Sequence, residues 1–91
     1  MATYLVERYA PWLLEESLEA FAARLEEAAR CMRDAGVGVV YRHSAFVRAE
    51  LSCLCLFDAP SEEAVREAND RAGATVDRVV EVELAVPADR L

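Results

Sequence analysis

The side chains best suited to chemistry in this chain are one imidazole, three thiols and a few strand carboxylates. His43 is the only histidine, and together with Ser44 it lies in a predicted strand. Because an imidazole titrates near neutral pH, His43 is a candidate proton carrier or metal ligand. A hydrogen-bonded structural histidine is the competing interpretation, since catalysis requires a positioned partner that spacing alone does not reveal.

Two of the three cysteines, Cys53 and Cys55, are two residues apart in another predicted strand, so both thiols point to one face. Their Cα atoms would be about 6.6 Å apart, at about 3.3 Å per residue, and a disulfide between them would be strained. With Cys31 they lack the spacing of a structural zinc site. We therefore expect reduced thiols that pack as small core residues.

Acidic residues in strands need solvent or a function, because strands disfavour them. Glu7 and Glu81 are two such residues. The simpler interpretation is a solvated sheet edge, or an ion pair with Arg8 or Arg42. The alternative is a cluster of carboxylate, imidazole and thiolate on one sheet face, with Tyr41 nearby, built from Glu7, His43, Cys55 and Glu81.

The pairing of the second and third strands decides whether this cluster forms. Symmetric closure of their hairpin places His43 opposite Leu54. A shift by one residue places it opposite Cys55 and exchanges the two faces of the strand. The sequence leaves both registers open.

Hydrophobic periodicity divides the chain into four strands and two helices. The strands are rich in β-branched and aromatic residues, and the first helix carries one apolar stripe. The second helix carries the i,i+4 pairs Glu62/Arg66 and Glu67/Arg71. The predicted strands are residues 3–9, 37–47, 51–57 and 78–86, and the predicted helices are residues 15–35 and 62–72. Ser61 is a predicted N-cap, and Gly36 and Gly73 are predicted left-handed helix ends.

The order βαββαβ predicts an α+β protein with one domain over residues 1–91. Its compact form is a ferredoxin-like sandwich, with a four-stranded antiparallel sheet and both helices on one face. The other face then has no cover, although strands two and three are largely apolar on both sides. Such a face is a liability unless something buries it, so we expect a homodimer of the dimeric α+β barrel type that encloses a cavity.

Charge and hydropathy exclude several classes of partner. The net charge is −7, with ten basic residues scattered among seventeen acidic ones, which argues against nucleic acid. No apolar run approaches the roughly 20 residues of a membrane helix. Residues 1–3 lead directly into a strand pattern rather than a signal sequence. We expect a cytoplasmic protein without a nucleic-acid or membrane partner.

Three short motifs follow one another over most of the chain: Tyr4-Leu5-Val6-Glu7, then His43-Ser44, then Cys55 ahead of Ala59-Pro60. In this order they resemble a family of small bacterial ferredoxin-like proteins, mostly of unknown function, that includes a nickel-binding member. The chain departs from that pattern in the second helix, where Ala68 stands at a position that is often histidine. It departs again after Gly73, where Ala74-Thr75 replaces an aromatic or aliphatic residue and a proline.

The resemblance implies a binding protein that holds a metal ion or small ligand in a dimer cavity, with contacts from Glu7, His43 and Cys55. Nickel or zinc suits imidazole and thiolate ligands. Two alternatives remain at this point. One is a cofactor-independent oxygenase, isomerase or cyclase that uses His43 as general base, and the other is a purely structural or regulatory dimer.

Overall fold

The computed structural model describes residues 1–85. Four strands and two helices follow one another in the order βαββαβ, so the predicted order is confirmed. The strands are β1 (Ala2–Tyr9), β2 (Val40–Val47), β3 (Ser52–Ala59) and β4 (Arg78–Val82), and the helices are α1 (Leu18–Asp34) and α2 (Glu62–Arg71). A short 3₁₀ helix, Pro11–Leu14, joins β1 to α1.

The strands form one antiparallel sheet in the order β2-β3-β1-β4. Both helices pack on the same side of it, because the buried strand residues alternate with partly exposed ones along β1 and β3. Phe21, Leu25 and Met32 of α1 and Val65 of α2 complete the core. The α+β class and the four-stranded sheet with two helices are thus confirmed.

Both helices end as the sequence predicts. Gly36 has φ +92° and Gly73 has φ +71°. In α1 the Val37 amide donates to the Met32 carbonyl at 2.9 Å, and the Ala74 amide makes the matching bond to Asn69 after α2. These bonds satisfy carbonyls that a helix end leaves without partners.

Other boundaries differ from the prediction. Helix α1 begins at Leu18 rather than Glu15, because the Ser17 side chain caps it by accepting a bond from the Ala20 amide at 3.0 Å. Strand β2 begins at Val40 rather than Val37. Strand β4 ends at Val82, and the predicted extension to Val86 falls partly outside the described residues.

The β2–β3 register differs from both of the registers left open by the sequence. His43 pairs with Leu56 and Ser44 with Cys55, because the hairpin closes over a four-residue turn, residues 48–51, that makes Val47 the partner of Ser52. The turn also extends to Leu51, which has φ +54°. Symmetric closure and its one-residue shift both assume a shorter turn, so both give His43 the wrong partner. The bulge at Arg42 then shifts the ladder by one residue beyond His43, at Tyr41.

Candidate functional site

The sheet has one face under the helices and one face without them. We call the uncovered side the open face; its central residues are Leu5, Glu7, His43, Ala45, Leu54, Leu56, Arg78 and Val80. We call the other side the helix face; its central residues are Tyr4, Val6, Arg8, Tyr41, Ser44, Cys53, Cys55, Phe57 and Val79. Every predicted site residue belongs to one of these two faces.

The predicted ligands divide between the faces. Glu7 and His43 lie on the open face, whereas Tyr41 and the fully buried Cys55 lie on the helix face. Glu81 pairs with Tyr4 and so also points to the helix side, where it is exposed at the margin. The structure therefore does not gather these five residues into one cluster, because neighbouring strand residues alternate between faces.

On the open face His43 and Glu7 occupy different rows. His43 is opposite Leu56, and Leu56 is opposite Leu5. Glu7 is two strands away in the next row, with its Oε1 3.8 Å from Nε of Arg78. Apolar side chains thus separate the imidazole of His43 from the carboxylate of Glu7.

A second polar group lies on the helix face around the two cysteines of β3. Sγ of Cys53 is 3.8 Å from Sγ of Cys55, and both are free thiols. The hydroxyl of Ser44 is 2.9 Å from Sγ of Cys55, and the Tyr41 hydroxyl is 2.6 Å from that of Ser44. A chain of hydroxyl groups therefore leads from the edge strand to a buried sulfur.

The two thiols have opposite proton affinities. The hydrogen bond from Cys53 lowers the pKa of Cys55 to about 6, and the Ser44 hydroxyl and the Arg8 charge act in the same direction. The same hydrogen bond, together with burial, raises the pKa of Cys53. Burial also raises the pKa of Tyr41. Of the two thiols, Cys55 therefore loses its proton first, with Cys53 as its hydrogen-bond donor.

Arg8 is fully buried beside these thiols, and sequence reasoning missed it. Its guanidinium donates to the Thr75 carbonyl at 2.8 Å and to Oδ1 of Asn69 at 2.6 Å, while Nε has no partner within residues 1–85. Its Cζ lies 5.1 Å from the centre of the Phe21 ring. The available signal was the alternation of β1, which places Arg8 on the same face as Tyr4 and Val6.

A groove of about 330 Å³ runs between α1 and β2 on the outside of this hydroxyl chain. Its lining residues come from the start of α1 and from the bulged part of β2: Leu18, Glu19, Ala22, Tyr41, Arg42, His43 and Ser44. The groove brings solvent to the two hydroxyl groups that lead to Cys55.

The model of the family described as "Nickel responsive protein SCO4226-like" matches residues 4–82. The chain belongs to this family. SCO4226 from Streptomyces coelicolor A3(2), known from its crystal structure, superposes with a TM-score of 0.61 over 93% of this chain and 100% of its own. Sequence identity is 22%, so this likeness shows the shared fold. A comparison with curated proteins found no match.

The family resemblance drawn from the three motifs is thus confirmed. The nickel in the family description requires a test against the residues present here. Within residues 1–85 no three His, Cys, Asp or Glu side chains converge as metal ligands. One copy of the chain, over that range, does not fit a complete nickel site. No helix in the same range is long and apolar enough to cross a bilayer.

Proposed function

We propose that this protein is a homodimeric binding protein that holds a nickel-like metal ion or a small ligand between the open faces of two copies. The observation that carries the proposal is the uncovered apolar row across the sheet. Leu56, Leu5 and Val80 follow one another across β3, β1 and β4, and His43 stands at the β2 end of the same row.

A second copy is the occupant that the charges of this face favour. The chain carries a net charge of −7, so two copies repel each other in general. On the open face, however, Glu7 lies beside Arg78, and Asp58 accepts from Nε of Arg42 at 2.7 Å. Local pairing therefore leaves the face nearly neutral, and a two-fold axis would bring identical neutral apolar patches together.

Two copies would also supply what one copy lacks as a metal site. A dimer across this face would contain two imidazoles from His43 and two carboxylates from Glu7. Nitrogen and oxygen donors of this kind suit divalent ions such as nickel and zinc. Cys55 is left out of this ligand set because it lies on the other side of the sheet.

Sedimentation velocity tests the dimer. The wild-type chain is expected to sediment as a dimer, and Leu56→Arg as a monomer, because the substitution places a charge in the centre of the apolar row. Ala20→Arg is the matched control, since it adds the same charge on an exposed position of α1. A monomeric wild-type protein, or a dimeric Leu56→Arg variant that stays folded, overturns the proposed dimer.

Equilibrium dialysis with Ni²⁺, read by metal analysis, tests the ligand. We expect His43→Ala to lose nickel binding and Cys31→Ser, which changes an exposed thiol away from the open face, to keep it. Unchanged nickel uptake by His43→Ala would remove His43 from the site. If the wild type takes up no nickel, an organic ligand is the remaining candidate. Native mass spectrometry of the freshly purified dimer would detect it.

A further inference from the structure

The helix face carries a second set of donor atoms, on the opposite side of the sheet from the proposed nickel site. We infer that Cys53 and Cys55 form a two-thiolate site for a soft monovalent cation, Cu(I), with the buried Arg8 guanidinium as its counter-charge. The inference is independent of the proposed function, because the two sites share no residue.

The geometry of the two sulfurs suits one shared ion. They project from alternate residues of β3, both are fully buried, and they lie 3.8 Å apart. With metal–sulfur bonds of about 2.3 Å, as in zinc thiolates, both sulfurs can bind one ion at a bent angle. A small rotation of either side chain widens that angle without moving the strand.

The donor set selects the ion. Thiolates favour Cu(I), which is satisfied by two soft ligands, whereas a structural zinc site takes four. No third His, Cys, Asp or Glu completes a metal-binding group with these cysteines within residues 1–85. The pair therefore offers too few ligands for tetrahedral zinc and enough for Cu(I).

Arg8 is the independent observation that points to an anionic site. Its guanidinium is permanently charged and fully buried, and both of its acceptors, the Thr75 carbonyl and the Asn69 amide, are neutral. Its Nε is left without a partner within the described residues. Since buried charges are normally paired, this guanidinium requires a negative group close by.

Cys53 lies directly opposite Arg8 in the β1–β3 ladder, where facing Cβ atoms are about 4.5–5.5 Å apart. Binding of Cu(I) forms two copper–sulfur bonds and displaces the remaining thiol proton, held by Cys53, to solvent, while the copper keeps its oxidation state. The resulting bis-thiolate complex carries one negative charge, which Arg8 balances. Ni²⁺ or Zn²⁺ on the same two sulfurs would instead leave one positive charge uncompensated in the core.

The groove between α1 and β2 supplies an exit for the protons and an entrance for the ion. It is lined in part by Tyr41 and Ser44, and the Ser44 hydroxyl contacts Cys55 at 2.9 Å. The Tyr41 hydroxyl contacts that of Ser44 at 2.6 Å. A cation moving from the groove to Cys55 would pass these two edge-strand side chains.

The test is an anaerobic competition titration of the reduced protein with Cu(I) held by the chromophoric chelator bicinchoninate. The wild type is expected to withdraw one Cu(I) per chain. Cys53→Ala and Cys55→Ala should each weaken the affinity by about a hundredfold or more, since each removes one of two ligands. Cys31→Ser, which removes the exposed thiol, and His43→Ala, which disables the proposed nickel site, should both bind Cu(I) like the wild type.

X-ray absorption at the copper edge adds a structural readout, with two sulfur neighbours expected. Circular dichroism before titration shows which variants are folded, and only folded variants are compared. Failure of the wild type to withdraw Cu(I), or full affinity in folded Cys53→Ala, overturns the inference and leaves the thiols as core packing only. Loss of nickel binding in His43→Ala with Cu(I) binding intact separates this site from the proposed one.

The counter-charge has its own pair of variants. Arg8→Lys keeps a positive charge in the pocket and should retain most of the Cu(I) affinity. Arg8→Met removes the charge at similar volume and should weaken the Cu(I) affinity by about tenfold. Losses of this size are usual when a residue that contacts a metal ligand is replaced. Equal affinities in the two folded variants would show that Arg8 does not balance the complex.

Discussion

The two faces of this sheet differ in cover and in how their charges are balanced. The helix face is largely buried and contains Arg8, whose guanidinium has only neutral hydrogen-bond acceptors. The open face is half-exposed, and its charges are paired locally, as with Glu7 and Arg78. The buried charge of the helix face is therefore paired with no carboxylate within residues 1–85, whereas the charges of the open face are paired at its surface. Burial alone does not predict where a functional group lies.

The largest expected loss of stability comes from removing an aromatic ring from the helix face. Phe57 is fully buried and contacts Tyr41 edge to face at 5.5 Å between ring centres. We expect Phe57→Ala to lower the free energy of unfolding by about 3–5 kcal/mol. Leu56→Ala, the neighbouring residue on the open face, is the matched control. Urea denaturation at low protein concentration measures both variants. Equal losses of unfolding free energy would contradict the assignment of faces.

Hydrogen bonding to Arg8 gives the next largest expected effect. Asn69 accepts from Arg8 and donates through Nδ2 to the Val65 carbonyl at 2.8 Å. Asn69→Ala leaves a buried charged donor unsatisfied and should cost about 1–3 kcal/mol. Asp70→Ala, on the exposed side of the same helix, should change stability by less than about 0.5 kcal/mol. Similar costs at the two positions would mean that the Asn69 contact is dispensable.

The thiol pair predicts a pH dependence in the reduced, metal-free protein. The pKa of Cys55 is lowered from 9.0 to about 6, so its stabilising contribution is absent below pH 6, grows between pH 6 and 9, and is complete above pH 9. The slope for one proton is at most about 1.4 kcal/mol per pH unit. Above this range the raised pKa of Cys53 acts in the opposite sense, because the unfolded chain releases a proton that the folded chain keeps.

Chemical denaturation across this range would show the rise, which Cys55→Ser should flatten and Cys31→Ser should preserve. A rise of the same size in Cys55→Ser would assign the pH dependence to other groups.

The smallest effect is expected for the ion pair of the open face. Glu7 and Arg78 are each about half-exposed, with side-chain exposures of 44% and 59%. Exposed pairs contribute little, so Glu7→Gln should leave monomer stability within about 0.5 kcal/mol of the wild type. The same variant should weaken the proposed dimer, because it leaves an unpaired Arg78 on each copy. Comparing thermal midpoints at low and high protein concentration separates the two effects.

Local signals in the sequence were sufficient to predict the helices and strands. Gly36 and Gly73 end helices through backbone bonds within a few residues, and Ser61 caps α2 by accepting from the Ala64 amide. The shared face of Cys53 and Cys55 likewise follows from strand alternation. Each of these features depends on neighbours in the chain, so pattern alone predicts it.

The candidate sites were harder to predict because they depend on pairing between distant segments. The length of the turn that ends at the left-handed Leu51 sets which residue faces His43, and the bulge at Arg42 shifts the ladder beyond it. Neither has a distinctive local signature. Arg8 was considered only as an ion-pair partner for a strand carboxylate, although its alternation with Val6 places it in the core. Its partners Asn69 and Thr75 come from residues more than sixty positions away.

The bulge at Arg42 also bears on how the protein avoids polymerising. β2 is one of the two outer strands of the sheet, and an outer strand with free backbone groups can recruit another strand and start a fibre. The bulge interrupts the regular spacing of those groups, and Arg42 adds a charge beside them. The other outer strand, β4, has only five residues. Both edges thus offer little to a further strand, and the proposed pairing of open faces would end at a closed pair.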